Sequence, residues 1–235
     1  MAASGSGSSS FMSGGRTIGM ERFDAPAGGR RPAVLILHGA DGMTNAERYR
    51  TGARVLASAG YHVFLPHYLD RTGERRASYA TIGTNFAAWT DTVLDALKVV
   101  AGEPGVDPRR LGLLGTSLGG GLGLAVAADD RRVRALANYF GFLPESVAAG
   151  ARRLPPTLVL HGARDSIVPV SNAYAIEGLL KRLGVPHEVH VYPDQAHGFA
   201  GAAQFDAAQR TAAFFGRYLA GGAADLQREA EAAAG

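Results

Sequence analysis

The sequence contains no cysteine among its 235 residues, and this absence excludes several kinds of site at once. Disulfides, thiolate nucleophiles, iron–sulfur clusters and cysteine-bound zinc are all ruled out. Long apolar runs are missing too: the longest aliphatic stretch is Val34-Leu35-Ile36-Leu37, whereas a transmembrane helix needs about 20 apolar residues. No histidine and carboxylate positions have a metal-motif spacing, and no phosphate-binding glycine pattern appears, so we predict no metal and no cofactor.

Dense charge of one sign is also absent. The 24 basic and 21 acidic residues are interspersed, and the net charge of +3 does not gather into a basic run. We therefore expect a small-molecule substrate, with neither nucleic acid nor membrane as a partner, while the oligomeric state stays open. Residues 1–15 have neither the basic nor the apolar region of a secretory signal, which predicts a cytoplasmic protein.

What is present is a pattern of short apolar runs alternating with longer stretches of helical periodicity. With 46% hydrophobic residues, this pattern predicts a single α/β domain over residues 16–220, with a mostly parallel sheet flanked by helices. The Ser- and Gly-rich residues 1–15 are interpreted as a flexible leader, and the Ala-rich residues 221–235 as a tail. Parallel strands are predicted at residues 33–38, 61–65, 110–115, 133–138, 157–161 and 188–192, an antiparallel edge at 16–23, and helices at 44–59, 85–100, 118–128, 171–183 and 203–219.

The most informative motif is Gly115-Thr116-Ser117-Leu118-Gly119, which follows an apolar strand and opens a helix of small residues. This G-x-S-x-G pattern in that context predicts a strained turn that exposes the Ser117 hydroxyl above the sheet. Small flanking residues allow the strand and the helix to approach each other closely. For the motif alone, an ordinary glycine-rich turn with an incidental serine is the alternative.

A serine is a weak nucleophile without a base, so the chemistry also requires a histidine oriented by an acid. Asp165 and His197 each follow a different predicted strand, at the edge where open α/β sheets place their sites. Asp194 lies three residues before His197 and is the alternative acid. A residue so close in the same loop rarely reaches the far nitrogen of the histidine ring, so we favour Asp165. His161 ends a strand and is interpreted as a packed, hydrogen-bonded histidine.

Two further features concern how a substrate is held. The turn at residues 38–42 is small and glycine-rich, so we predict that the backbone N–H groups of Ala40 and Leu118 form an oxyanion hole. Only residues 139–156 separate two predicted strands at the position where related folds insert a lid, and this is too short for a lid domain. The predicted open pocket has these candidate walls: His67, Tyr139, Phe140, Phe142 and Phe199.

The segments 39–42, 58–66, 160–169 and 196–199, together with the motif around Ser117, resemble the α/β-hydrolases, and among them the dienelactone hydrolase family. The resemblance covers about residues 31–219. It implies that Ser117, Asp165 and His197 form a catalytic triad, with Ala40 and Leu118 as oxyanion donors. The founding members of that family have a cysteine nucleophile, a glutamate at the position of Gly39 and an arginine at that of Gly201. The likeness therefore implies a serine-dependent variant rather than an enzyme for dienelactone itself.

From the resemblance we expect an enzyme that hydrolyses small or short-chain carboxylic esters or lactones through an acyl-enzyme on Ser117. Two alternatives stay open. A peptidase or amidase can use the same triad, because the choice of leaving group depends on pocket shape. A catalytically silent protein with this fold, acting in binding, is the other alternative, because a fold does not guarantee turnover.

Overall fold

The computed structural model describes residues 6–220, so the predicted tail at residues 221–235 lies outside the described part. Eight strands form one sheet in the order β1-β2-β4-β3-β5-β6-β7-β8. The strands are β1 (Ser6–Ser13), β2 (Arg16–Phe23), β3 (Arg31–Leu37), β4 (His62–Pro66), β5 (Val106–Thr116), β6 (Val133–Tyr139), β7 (Thr157–Gly162) and β8 (His187–Tyr192). The helices are α1 (Ala46–Ser58), α2 (Tyr79–Ala101), α3 (Leu118–Asp129), α4 (Glu145–Gly150), α5 (Ser171–Arg182) and α6 (Gly201–Tyr218).

The sheet is mostly parallel, as predicted. Strands β3 to β8 pair in parallel, and β2 joins β4 in the antiparallel direction. Helices cover both faces: Ala53 of α1 and Phe214 of α6 belong to one buried cluster, while Trp89 of α2, Leu122 of α3 and Ile176 of α5 belong to the other. Because both faces are covered, the central strands are nearly continuous apolar runs rather than alternating ones.

The flexible leader predicted for residues 1–15 is wrong where the structure describes it. Ser6–Ser13 forms β1, which pairs with β2 along its whole length. Gly14 and Gly15 both have positive φ and make the two-residue turn between the strands. Phe11 is buried in the core, although serine and glycine favour strands only weakly. Tertiary pairing therefore overrides composition here, and the Gly-Gly pair was the available hairpin signal.

Other differences concern element ends and the segment after β6. Helix α2 begins at Tyr79, six residues before the predicted start, because Ser78 and Thr81 form a reciprocal capping box. The short helix α4 was not predicted. It lies in the connection between β6 and β7, which contains no other helix or strand. The edge at which β5, β7 and β8 end is therefore not covered by a domain inserted at that position.

Membrane association through a helix would require a long apolar window. Within residues 6–220, no helix combines the length and hydropathy that a membrane span needs. The cytoplasmic localisation stays a prediction.

Candidate active site

Ser117 occupies the sharp turn between β5 and α3. Its φ of 53° and ψ of −116° lie outside the regions that L-residues normally adopt. Such a conformation costs about 1–3 kcal/mol and persists only where the surroundings enforce it. The Ser117 N–H donates to the carbonyl of Tyr139 on the neighbouring strand β6 at 2.9 Å, which fixes the turn. The hydroxyl is thereby presented at the carboxyl edge of the sheet.

The glycines around Ser117 are required by close backbone contact. A Cβ atom on Gly115 would lie 2.1 Å from the carbonyl oxygen of Gly119, and one on Gly119 would lie 2.2 Å from that of Leu37. Real Cβ atoms do not approach backbone oxygens so closely. The small flanking residues predicted from the motif therefore allow α3 to start directly against β3 and β5.

The structure brings Ser117, His197 and Asp165 together in one chain of hydrogen bonds, which we call the Ser–His–Asp cluster. The distance between His197 Nε2 and Ser117 Oγ is 2.9 Å, and that between His197 Nδ1 and Asp165 Oδ2 is 2.7 Å. Since a carboxylate accepts only, His197 Nδ1–H donates to Asp165 and Nε2 is left to accept from the Ser117 hydroxyl. This tautomer is the one that a general base requires.

Asp165 is held by the loop that carries it. Its Oδ1 accepts the backbone N–H groups of Ile167 and Val168, both at 2.9 Å, and its side chain is fully buried. Its other oxygen, Oδ2, therefore points at His197. Asp194, the alternative acid, is an exposed residue of the loop that carries His197. The backbone of the β7–α5 loop thus orients the carboxylate before any substrate arrives.

His161 packs beneath Asp165, as a buried, hydrogen-bonded histidine. Its Nε2–H donates to the carbonyl of Val168 at 2.8 Å and lies 3.4 Å from Asp165 Oδ2. Burial lowers the pKa of His161 and keeps the ring neutral. Its Nδ1 is buried with no hydrogen-bond partner among the described residues. His161 therefore supports the β7–α5 loop, which carries Asp165, and does not contact Ser117.

The predicted oxyanion donors lie on two segments near Ser117: Ala40 is in the loop after β3, and Leu118 is the first residue of α3. The Gly39 N–H donates to the Tyr49 hydroxyl at 2.9 Å, and that hydroxyl donates to Asp41 at 2.9 Å, which anchors the loop after β3. No backbone hydrogen bond within residues 6–220 uses the N–H of Ala40 or Leu118. The Leu118 N–H belongs to the first turn of α3, where N–H groups lack intrahelical partners, and the Ala40 N–H lies in a loop, so both N–H groups are available for a ligand.

His38 ends β3 directly before this loop. The ring is buried, stacks on Tyr68 at a centroid distance of 4.1 Å, and donates from Nδ1 to the Gly39 carbonyl at 2.8 Å. Burial lowers the pKa of His38 to about 4, so the ring is neutral at pH 7. This histidine was not singled out from the sequence, because an aliphatic strand that ends in histidine gives no sign of the ring's burial.

The aromatic candidates fall into two groups. The Phe140 ring contacts the His197 ring edge-on at 5.0 Å, and Phe199 lies 5.2 Å from Phe140 and 5.7 Å from Tyr139. Phe142 instead packs against Phe86, and His67 contacts Glu21 of β2 at 3.2 Å. Within the described chain, neither Phe142 nor His67 makes a hydrogen bond or ring contact with the Ser–His–Asp cluster.

A groove that the sequence did not reveal opens beside this cluster, between α1 and α6. We call it the α1–α6 groove; its volume is about 640 Å³. Strand residues, among them Tyr139, form its floor, and residues of both helices form its sides. The sides include the polar residues Glu47 and Arg48 of α1 and Gln204 of α6. Its principal lining residues are Ile36, Gly52, Leu114, Thr116, Tyr139 and Phe199. The small residues on one face of α6 were the available signal.

Metal-ligating side chains do not gather at the site. Among residues 6–220, no group of three or more histidine and acidic side chains has the geometry to hold a metal ion. The arrangement offers instead a hydroxyl, an imidazole that can accept its proton, a buried carboxylate and two unused N–H groups. These are the components of acyl transfer by covalent catalysis.

Comparison with known proteins gives three findings. The family model described as "Dienelactone hydrolase family" matches residues 22–219. The carboxymethylenebutenolidase of Rhodococcus opacus is 26% identical over 198 residues, covering 75% of this chain and 78% of that protein. A dienelactone hydrolase-like promiscuous phosphotriesterase from metagenomic libraries has the same fold, with a TM-score of 0.78 and 21% identity over 91% of this chain and 98% of that one.

A longer relative is also similar. Acylamino-acid-releasing enzyme 1 of Oryza sativa subsp. japonica is 25% identical over 212 residues, covering 72% of this chain. The match spans only 27% of that protein, so this chain corresponds to about a quarter of its length. The similarity thus concerns one part of a larger protein.

Proposed function

Because the chain belongs to the dienelactone hydrolase family, we propose that it is a serine hydrolase of small or short-chain carboxylic esters or lactones. The observation that carries this proposal is the hydrogen-bonded chain from Ser117 through His197 to Asp165, with Ser117 in a strained backbone conformation. In this proposal Ser117 is the nucleophile, His197 the general base and acid, and Asp165 the group that orients His197.

In the acylation step, Ser117 Oγ attacks the ester carbonyl carbon while its proton moves to His197 Nε2. The carbonyl electron pair moves onto the oxygen, which the N–H groups of Ala40 and Leu118 stabilise. The tetrahedral intermediate then collapses, the bond to the leaving oxygen breaks, and His197 Nε2–H protonates that oxygen. An alcohol leaves, or a ring opens where the substrate is a lactone.

In the deacylation step, water attacks the acyl-enzyme and gives its proton to His197 Nε2. The second tetrahedral intermediate expels Ser117 Oγ, which recovers its proton from His197. Asp165 stabilises the charged imidazolium in both steps without taking up a proton itself. A carboxylic acid is released and the starting state is restored.

The oxyanion hole should contribute as much as the proton transfer. Removing one such donor typically costs about 2.7–4 kcal/mol of transition-state stabilisation. Here the donors are fixed before substrate binds, since Tyr49 anchors the loop of Ala40 and the strained turn anchors Leu118. Preorganised dipoles need no rearrangement when charge develops, which is what makes them effective.

We place the substrate's apolar part against Tyr139, Phe140 and Phe199, with Phe142 and His67 as more distant candidate walls. The first three rings adjoin His197 or one another. The short connection between β6 and β7 leaves the site open, which favours small esters over lipids.

The test is hydrolysis of p-nitrophenyl esters of increasing acyl length by the wild type and by Ser117→Ala. We expect turnover that falls with chain length and drops by about 10⁴-fold or more in the variant. Far-ultraviolet circular dichroism checks that the variant is folded. Full esterase activity in a folded Ser117→Ala protein would overturn the mechanism, and a preference for long-chain triglycerides would overturn the substrate class.

A peptidase or amidase is the second candidate, and the similarity to part of the acylamino-acid-releasing enzyme favours it. Amide and ester hydrolysis share the acyl-enzyme, so the same Ser–His–Asp cluster serves both. A panel of matched esters, lactones and acylamino-acid amides distinguishes them by kcat/KM. Faster turnover of the amides than of the esters would replace the first proposal with this one.

A further inference from the structure

We propose that the α1–α6 groove binds a bulky aryl group of the ester on which Ser117 acts. This inference rests on the proposed function and names the kind of substrate it takes. The groove has one feature that calls for an occupant: Leu114, in the middle of the central strand β5, is only half-buried. Central strands of a parallel sheet are normally covered on both faces, and uncovered apolar surface costs about 25 cal/mol per Å².

Three residues that line the groove are neighbours of the proposed catalytic residues. Thr116 immediately precedes Ser117 in the chain. Tyr139, on its floor, accepts the Ser117 N–H through its carbonyl oxygen. Phe199 follows His197 by two residues and packs on Phe140, whose ring contacts His197. We therefore place in the groove a group bonded to the carbonyl that Ser117 attacks.

The size and the chemistry of the lining indicate the occupant. A volume of about 640 Å³ lies within the range of small-molecule sites, about 300–1,000 Å³. Two aromatic rings, those of Tyr139 and Phe199, line the groove, and aromatic rings prefer offset or edge-on partners. Aliphatic side chains cover the floor. An aryl group can pack its faces on the apolar part of the lining, formed by Ile36, Leu114, Tyr139 and Phe199. The polar lining residues Glu47, Arg48 and Gln204 lie on the two helices, where the Arg48 guanidinium can contact the face of an aromatic ring.

The groove is held open by a fixed contact. The Tyr139 hydroxyl donates to the Ala207 carbonyl at 3.0 Å and lies 2.6 Å from the Thr211 hydroxyl, and both residues are on α6. These bonds tie α6 to the sheet at a set distance and leave the Tyr139 ring free for apolar contact. A preformed site loses less free energy on binding than one that must be ordered.

The test is a substitution that adds a bulky side chain at the wall of the groove. Gly52 of α1 lines the groove, and a Cβ added there meets no atom within 4 Å, so Gly52→Trp adds a bulky ring at the groove wall without a backbone clash. Gly83 of α2 has the same open surroundings and does not line the groove, so Gly83→Trp is the matched control. The substrates are ethyl acetate, 2-naphthyl acetate with the aryl group on the alcohol side, and ethyl 2-naphthylacetate with it on the acyl side.

We expect kcat/KM for one naphthyl ester, relative to that for ethyl acetate, to fall about 10-fold in Gly52→Trp, mainly through KM. The same ratio should not change in Gly83→Trp. The naphthyl ester that responds identifies which side of the ester occupies the groove. Equal changes for all three esters, or none in either naphthyl ester, would overturn the inference while leaving the esterase proposal intact.

Binding without turnover separates this inference from the proposed function. In the Ser117→Ala protein, a fluorescence titration with the naphthyl esters should show saturable binding that Gly52→Trp weakens and Gly83→Trp does not. If the wild type hydrolyses no ester, this titration still tests the groove. No binding in Ser117→Ala, or equal binding in both tryptophan variants, would contradict it.

Discussion

The glycines beside Ser117 and the glycine that lines the α1–α6 groove have opposite surroundings. A Cβ on Gly119 would meet the Leu37 carbonyl oxygen at 2.2 Å, whereas one on Gly52 would meet nothing within 4 Å. In the first region, backbone packs on backbone and fixes the position of Ser117. In the second, space is left between two helices. The difference shows that close backbone packing fixes the position of Ser117, whereas α1 has open space beside Gly52.

The same contrast holds for polar groups. Around the Ser–His–Asp cluster, Asp165 accepts hydrogen bonds from two backbone N–H groups and from His197, and Tyr49 bridges Gly39 and Asp41. Such networks hold each side chain in one arrangement. The groove is lined mainly by apolar and small side chains, whose contacts with a ligand are non-directional. We therefore expect substitutions to have large effects in the first region and small effects in the second.

The largest effect should come from Gly119→Ala. The new methyl group collides with the backbone of β3, so either α3 or the turn of Ser117 must move. We expect the free energy of unfolding to fall by about 3 kcal/mol and ester turnover to be lost with it. Chemical denaturation and ester hydrolysis measure the two. Unchanged activity in Gly119→Ala would show that the packed turn is not needed.

The next effect is an acid-induced loss of stability through His38. Burial lowers the pKa of His38 to about 4 in the folded protein, from an ordinary value of 6.5. Between these values the unfolded chain binds a proton that the folded chain does not, so stability is lost as the pH falls. At about 1.4 kcal/mol per pKa unit, the loss amounts to about 3 kcal/mol.

His38→Phe keeps a ring against Tyr68 and removes the titration. Denaturant unfolding at pH 7 and pH 4.5 should show a weaker pH dependence in this variant than in the wild type. The same dependence in both proteins would mean that other groups are responsible.

A smaller effect is expected from His161→Leu, which removes one support of the Asp165 loop. The lost hydrogen bond to Val168 is worth about 1 kcal/mol, so kcat should fall about 5-fold if the whole of this loss appears in the orientation of Asp165. His161→Gln retains an N–H donor and should recover part of this loss. KM should change little in both variants. A fall in stability with no change in kcat would assign His161 a purely structural role.

The smallest effect on stability is expected at Gly52, which lines the α1–α6 groove. Gly52→Ala adds a methyl group in free space on α1 and should stabilise the protein by about 0.5–1 kcal/mol, because alanine favours a helix more than glycine does. Thermal unfolding measures the change, with Gly83→Ala as its control. Destabilisation at Gly52 alone would mean that the groove is less open than the structure indicates.

The sequence predicted the Ser–His–Asp cluster better than it predicted the α1–α6 groove. A strand followed by G-x-S-x-G imposes a local geometry, and Asp165 and His197 each follow a strand of the same sheet, so topology alone brings them to one edge. Their hydrogen bonds follow from that placement. The order of strands was not needed to identify the three residues.

The features that the sequence did not reveal depend on tertiary structure. The strand at Ser6–Ser13 exists because it pairs with β2 and buries Phe11, not because serine favours strands. The α1–α6 groove is a gap, and a gap depends on how far apart two helices lie. His67 follows a strand end, as expected, yet the antiparallel strand β2 lies beside it and supplies Glu21 as its partner. Local sequence patterns do not show which residues from distant parts of the chain will be neighbours.

The most direct test of the central claim is labelling with a fluorophosphonate, followed by mass spectrometry of the labelled peptide. If Ser117 is a nucleophile activated by His197, the wild-type protein should take up one label, on Ser117, and Ser117→Ala should take up none. His197→Ala should label far more slowly. A folded wild-type protein that is not labelled, or a label that persists in Ser117→Ala, would contradict the proposal that this site performs acyl transfer.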